Sequence, residues 1–335
     1  MMEKKRGIRA FLYTILILLI VALFGVNFGP LTGLVTDLGN VLLQIQVDLR
    51  APENLTIIVS DQSTGDATLN WTYSNAHGYY IWYSDNVTEI LQLNYSDANL
   101  SALSNVSSPN VTLVGKYNTT WNDTSAGTVQ KRFYAVAAYM NDGELFTTSD
   151  IKVGKWNWSI EGEDGSIGHS YLSTPLVQNV SINDVDFPND FCAVYSIVDD
   201  NLYAFSFLGG WVGDLSELEF GSSYYFDLFN TKSNLTTYGE IPTGNVTKYI
   251  ASGNNYTSLG WESVSTNGSL SGLIQPSADF ASVYGIDYTK SNEWTSSFYF
   301  MGSWIGDISQ MEAGKGYLFG TFTNPENFTY ERNPY

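Results

Sequence analysis

Leu69-Asn70-Trp71-Thr72-Tyr73 alternates between apolar and polar side chains. A period of two places Leu69, Trp71 and Tyr73 on one face of a β-strand and Asn70 and Thr72 on the other. The polar pair is also an Asn-x-Thr glycan acceptor, so a sugar on Asn70 would point to solvent. This stretch therefore predicts a β-strand, and its fold and a sugar on Asn70 agree.

Working outward, Tyr79-Tyr80-Ile81-Trp82-Tyr83 and Tyr134-Ala135-Val136-Ala137-Ala138 read as further strands, the latter ending at the turn Asn141-Asp142-Gly143. With Pro52 ahead of the first strand, Trp71 on the second, Tyr79-x-Ile81-x-Tyr83 on the third and Tyr134-x-Val136-x-Ala138 on the sixth, residues 51–153 resemble a fibronectin type III domain. The resemblance implies a β-sandwich with Tyr134 as its corner tyrosine, and a spacer or binding role. The stretch between Asn94 and Asp123 departs from that family's pattern: it is long and crowded with acceptors.

The remainder repeats. Gly209-Gly210-Trp211-Val212-Gly213-Asp214-Leu215-Ser216 recurs as Gly302-Ser303-Trp304-Ile305-Gly306-Asp307-Ile308-Ser309, an offset of 304 − 211 = 93 that extends to Gly221/Gly314 and Tyr224/Tyr317. Two tandem modules are expected, at 154–243 and 244–335. Asp214 and Glu217, like Asp307 and Gln310, have capping-box spacing, and Gly221 and Gly314 suit a left-handed helix end. One short helix per copy is predicted, with Trp211 and Trp304 beneath it and a strand through Tyr224 or Tyr317. The order of parts resembles a β-rich repeat module common in secreted prokaryotic proteins, which implies architecture and location rather than chemistry.

Lys4, Lys5, Arg6 and Arg9 precede an uncharged apolar run from Ala10 to Val26, so residues 1–28 read as a membrane anchor or signal segment. Leu31, Leu34, Val35, Leu38, Leu42, Ile45 and Leu49 give 29–50 the spacing of an amphipathic helix. Lys5-Arg6-Gly7 followed by Ile8 resembles the processing site of archaeal pilin precursors. That implies cleavage between Gly7 and Ile8 and a filament subunit. The fold class expected is mainly β: an N-terminal membrane helix, a fibronectin type III-like β-sandwich, then two tandem β-rich repeat modules, each with one short helix.

Acceptors occur at Asn54, Asn70, Asn86, Asn94, Asn99, Asn105, Asn110, Asn118, Asn122, Asn157, Asn179, Asn234, Asn245, Asn255, Asn267 and Asn327. These are sixteen of 28 asparagines, where the Ser and Thr content predicts about five by chance. All lie beyond the apolar run, on the side that the charge rule places outside. The net charge of −19 argues against nucleic acid as a partner. Cys192 stands alone in an apolar stretch, so it reads as a buried small hydrophobe and no intrachain disulfide can form.

His77 and His169 sit beside glycines and read as turn residues; no nucleophile or phosphate-loop motif is present, and no catalytic residue or metal ligand is assigned. Glu161, Glu163 and Asp164 are the one weak pointer to Ca²⁺, and no other cofactor is implied. The sequence thus reads as a membrane-anchored, extracellular surface glycoprotein, not an enzyme, with adhesive, binding or structural work. Its partners are the lipid bilayer, covalent N-glycans, other copies of itself in a filament or array, and surface glycans. Carbohydrate binding through exposed aromatics is an alternative, with Trp211 and Trp304 the first residues to test.

Overall fold

The computed structural model describes residues 51–59, 65–93, 110–140, 145–160, 167–185, 192–197, 202–207, 209–229, 233–253, 256–263, 267–273, 280–287, 293–322 and 324–333. The anchor, the amphipathic segment and the Gly7/Ile8 site lie outside them. Among the described residues no helix is long and apolar enough to cross a membrane.

The first elements are β1 (Glu53–Val59), β2 (Ala67–Thr72), β3 (Gly78–Ser84), α1 (Val87–Leu91), β4 (Asn110–Gly115), β5 (Thr120–Asp123), β6 (Lys131–Met140), β7 (Leu145–Thr148) and β8 (Val153–Ile160). One sheet runs β1-β2-β5 and the other includes β8-β6-β3-β4, with β7 also on β6, all antiparallel. The inward residues of both close one core of Leu55, Ile57, Leu69, Trp71, Tyr79, Ile81, Tyr134 and Val136. This is an antiparallel β-sandwich. Leu69 and Trp71 are buried as their alternation predicts, and Trp71 meets Tyr79 edge-on at 5.3 Å. Tyr73 does not share that face. The strand ends at Thr72, and Tyr73 turns out to stack on exposed Tyr117, with ring centroids 6.4 Å apart. Tyr134 is fully buried, and its hydroxyl donates to Asp123 Oδ2 at 3.0 Å, a side-chain acceptor instead of the backbone of the usual corner.

The rest of the chain forms β9 (Ile167–Ser173), β10 (Val180–Ser181), β11 (Cys192–Tyr195), β12 (Tyr203–Phe207), β13 (Gly210–Gly213), β14 (Glu217–Leu218), β15 (Ser223–Phe229) and β16 (Ser233–Glu240). A second series follows: β17 (Gly244–Ile250), β18 (Thr257–Gly260), β19 (Gly268–Ser269), α2 (Leu270–Leu273), β20 (Phe280–Asp287), β21 (Glu293–Phe300), β22 (Ser303–Gly306), β23 (Gln310–Met311), β24 (Gly316–Thr321) and β25 (Glu326–Arg332). Pairing orders match in both: β13-β12-β11-β15-β9 against β22-β21-β20-β24-β18, β10-β14 against β19-β23, and β8-β16 against β17-β25. β8 has two roles. It pairs with β6 of the sandwich and with β16 of the first module, so one sheet spans both. The second face of that sheet carries Trp82, Phe133, Trp156 and Trp158 into a core shared with Leu172, Phe226 and Leu235.

The predicted helix after Asp214 and Asp307 does not form. Residues 214–216 and 307–309 are bends and extended chain leading into β14 and β23. Leu215, in the connection, and Leu218, in β14, are both buried. Gly213 and Gly306, at φ +144° and +142°, lie so close to the neighbouring strand that a Cβ would collide with the carbonyls of Tyr203 and Ser296. This packing turns the chain instead of coiling it. Short helical turns come earlier, as a 3-10 turn at Ile182–Asp184 and as α2. The Trp211 indole N–H donates to Val185 O at 3.0 Å, just after the first of these, so the tryptophan packs by a helical turn from the other side of the sequence.

Candidate functional site

The outer face of the first five-stranded sheet carries a row of tyrosines. Tyr171, Tyr225, Tyr195 and Tyr203 stand in register across β9, β15, β11 and β12. Their neighbours Leu172, Tyr224, Phe226, Val194 and Ala204 point the other way into the core, as alternation demands. Tyr171 is buried at the junction with the second module, whereas Tyr195 and Tyr203 are 37% and 43% exposed. Beside the row, His169 and Asp227 face each other across β9 and β15, with Nδ1 and Oδ1 2.6 Å apart. The His169 ring stacks on Tyr225 at 5.6 Å.

From the second module, Trp294 lies over Tyr225, centroids 5.6 Å apart and planes 11° from parallel, and it is 47% exposed. Burial, with help from the Asp227 carboxylate, pushes the Tyr225 hydroxyl up to about 12. Burial raises Tyr195 as well, with Asp227 again adding. Both phenols therefore stay neutral donors and acceptors through the physiological range. The result is a half-exposed aromatic platform edged by a carboxylate and an imidazole.

Outward apolar positions recur between the modules. Tyr195 corresponds to Tyr284 (284 − 195 = 89), and Phe205, Phe207 and Val212 to Phe298, Phe300 and Ile305 (an offset of 93). Phe207, Val212, Phe300 and Ile305 are exposed, so core packing does not account for their retention. None of the ten strands of the two five-stranded sheets contains a glycan acceptor, a lysine or an arginine.

Acceptors lie elsewhere. Asn54, Asn70, Asn110, Asn122, Asn157, Asn234, Asn245 and Asn327 sit on β1, β2, β4, β5, β8, β16, β17 and β25, Asn86 caps α1, and Asn118, Asn179 and Asn267 are in connections. Not one of these twelve is buried; Asn94, Asn99, Asn105 and Asn255 fall outside the described residues. Some acceptors face each other across strands: Asn157 opposes Thr236 and Ser159 opposes Asn234, and Thr236 Oγ1 donates to Asn157 Oδ1 at 2.7 Å. Thr247 and Thr329, the hydroxyl residues of two more acceptors, bond at 2.7 Å.

The repeat residues hold each module together. Glu219 N donates to Tyr224 Oη at 2.7 Å, and Glu312 N to Tyr317 Oη at 2.8 Å. Asp214 N and Asp307 N bond to the carbonyls of Tyr203 and Ser296. Glu217 and Gln310 cap nothing. They accept from the side-chain amides of Asn179 and Asn267, at 3.1 and 3.4 Å. Gly221 and Gly314 are left-handed as expected, at φ +76° and +73°, but in turns between strands. Trp211 and Trp304 are half-buried against their own cores.

Asp307, Gln310, Glu312, Lys315 and Tyr317 line a pocket of about 190 Å³, where Lys315 pairs with Glu312 at 2.9 Å. His77 lies in a connection, but His169 is a strand residue, not a turn residue: β9 places it opposite Asp227. Sequence reasoning missed this pair and Trp294 because their partners lie 58 and 69 residues away (227 − 169 and 294 − 225). The alternation of β15 was the available signal. Glu161, Glu163 and Asp164 lie outside the described residues, and among the described ones no group of three His, Cys, Asp or Glu could hold a metal. Cys192 is buried and forms no disulfide.

No protein-family model and no curated protein matches the chain. Among solved structures it is similar to the chicken CNTN1 FN1-FN3 domains, at 10% identity and a TM-score of 0.19, covering 85% of this chain and 99% of that one. A likeness of that size carries nothing about function.

Proposed function

We propose that this chain is an extracellular surface glycoprotein whose β modules present a sugar-covered side and an acceptor-free binding side, in adhesion or in a structural surface layer. The absence of acceptors from the ten strands of the two five-stranded sheets, which carry exposed Tyr195, Tyr203, Phe207, Trp294 and Phe300, carries the reading. Bulky glycans exclude partners from the surface they cover, so bare apolar faces between them are where contact is made. The basic-then-apolar start supplies the anchor, with the modules outside. Intact cells treated with external protease should lose the 51–335 part, and its peptides should carry sugar at the outward strand acceptors. An unmodified, protease-protected cytoplasmic protein would overturn the proposal. A filament subunit is the second reading, favoured by Lys5-Arg6-Gly7-Ile8. A mature chain starting at Ile8 supports it, and one starting at Met1 or Met2 supports the plain anchor.

A further inference from the structure

We infer that the platform of Trp294, Tyr225 and Tyr195, with the His169–Asp227 pair at its edge, is a binding site for neutral hexose units of an oligosaccharide. The inference rests on the surface-glycoprotein reading only for the source of the sugar. Trp294 and Tyr225 lie nearly parallel, and Trp294 is half open to solvent. A pyranose ring offers a flat C–H face that packs on such a surface, while its hydroxyls need donors and acceptors around the rim. Asp227, His169 and the neutral tyrosine hydroxyls provide both. The strands of this sheet contain no Lys or Arg, and Asp227 is an acid beside the platform, so phosphate, sulfate and uronate ligands are disfavoured. A second copy carries the same −19 charge and meets long-range repulsion, whereas a neutral glycan meets none. The site needs both modules: Trp294 comes from β21 and the remaining residues from β9, β11 and β15.

The test titrates the purified full chain with three probes: N-glycans released from the same protein, cellohexaose and mannohexaose. Binding is read by tryptophan fluorescence and calorimetry. At least one probe should bind saturably, and Trp294→Ala should weaken it by about tenfold or more, equal to roughly 1.4 kcal/mol. Tyr195→Ala, at a more exposed position, should weaken it without lowering the melting temperature. Tyr256→Ala, outside the platform, should leave it unchanged. The inference fails if no probe binds the wild type, or if Trp294→Ala and Tyr195→Ala bind as it does. It also fails if sedimentation without sugar shows self-association that Trp294→Ala abolishes, which would make the face a contact between copies. Glycopeptide mapping tests the surface-glycoprotein reading separately, so either can fall alone.

Discussion

At the scale of single residues, titration of the buried groups sets an unusual pH profile. Lys155 is fully buried and donates to Val129 O at 3.0 Å. Burial lowers its ammonium to about 8, and the Arg132 charge adds to the depression. The unfolded chain holds that proton to about 10.5, so between about pH 8 and 10 it binds more protons than the fold, and stability rises with pH. Two tyrosines, one buried and one half-buried, act with the opposite sign. Tyr171 and Tyr225 are raised to about 12, mainly by burial, so above about pH 10 the unfolded chain loses protons that the fold keeps, and stability falls. Urea midpoints taken from pH 7 to 11 should therefore peak near pH 10. Lys155→Met should shrink the rise, to which burial-lowered Lys131 and Lys152 also contribute, and leave the fall. The Asp-x-x-Glu spacing was legible but misleading at this scale, because the same two residues serve a helix cap or a strand entry and only the surrounding packing selects one.

At the scale of elements, the repeat unit is a hairpin followed by a short strand that seals its module. Gly209 and Gly302, at φ +79° and +83°, turn the hairpin. Gly213 and Gly306 then let the chain cross its neighbour, and β14 or β23 pairs with β10 or β19. Asn179–Glu217 and Asn267–Gln310 fasten these small ribbons in equivalent places. Both asparagines are potential acceptors, yet their amide nitrogens already have a structural partner. In protein expressed without glycosylation, Asn179→Ala and Asn267→Ala should each cost up to about 1 kcal/mol in urea unfolding. Asn245→Ala and Asn327→Ala, exposed on the outer ribbon, should change stability by less than about 0.5 kcal/mol. Strands such as β1 and β2 were readable from alternation because only one of their faces is buried. The pairing of β8 with both β6 and β16 was not, since a strand's own residues do not reveal how many edges it offers.

At the scale of the molecule, the two modules meet in a reciprocal way. Ser173 opposes Ser223 as Gly260 opposes Gly316, and the bonds Ser173 N to Gly314 O and Gly260 N to Gly221 O, at 2.8 and 3.2 Å, are equivalent. Each residue pair is repeated with the modules exchanged, the pattern of a two-fold interface held within one chain. The asymmetry lies in what meets the repeated glycines. Gly314 packs under the Trp158 indole, where no Cβ would fit, whereas Gly221 faces Lys248 and Glu262. Glu262 is 1% exposed and ion-paired with Lys248 and with Arg332. Removing the acid would leave two cations without their partner, so Glu262→Leu should cost about 3–5 kcal/mol in chemical denaturation. Glu331→Leu, exposed on β25, should cost less than about 0.5 kcal/mol. Equal losses in the two variants would show that the buried cluster does not stabilise the junction.

The alternation of Leu69 to Thr72, the spacing of the Trp-x-Gly-Asp repeats and the density of acceptors were enough, by themselves, to determine a β chain with a duplicated half and an outward place for Asn70. Those features are local: period two needs only a strand with one wet face, and a repeat needs only comparison with itself. Tertiary structure alone decided that β8 belongs to both halves, that the repeated acid enters a strand, and that Trp294 and the His169–Asp227 pair converge on Tyr225. The double pairing of β8 and the His169–Asp227 pair depend on antiparallel register between distant segments, which is set by the cores those segments close, and the place of Trp294 depends on the contact between the two modules.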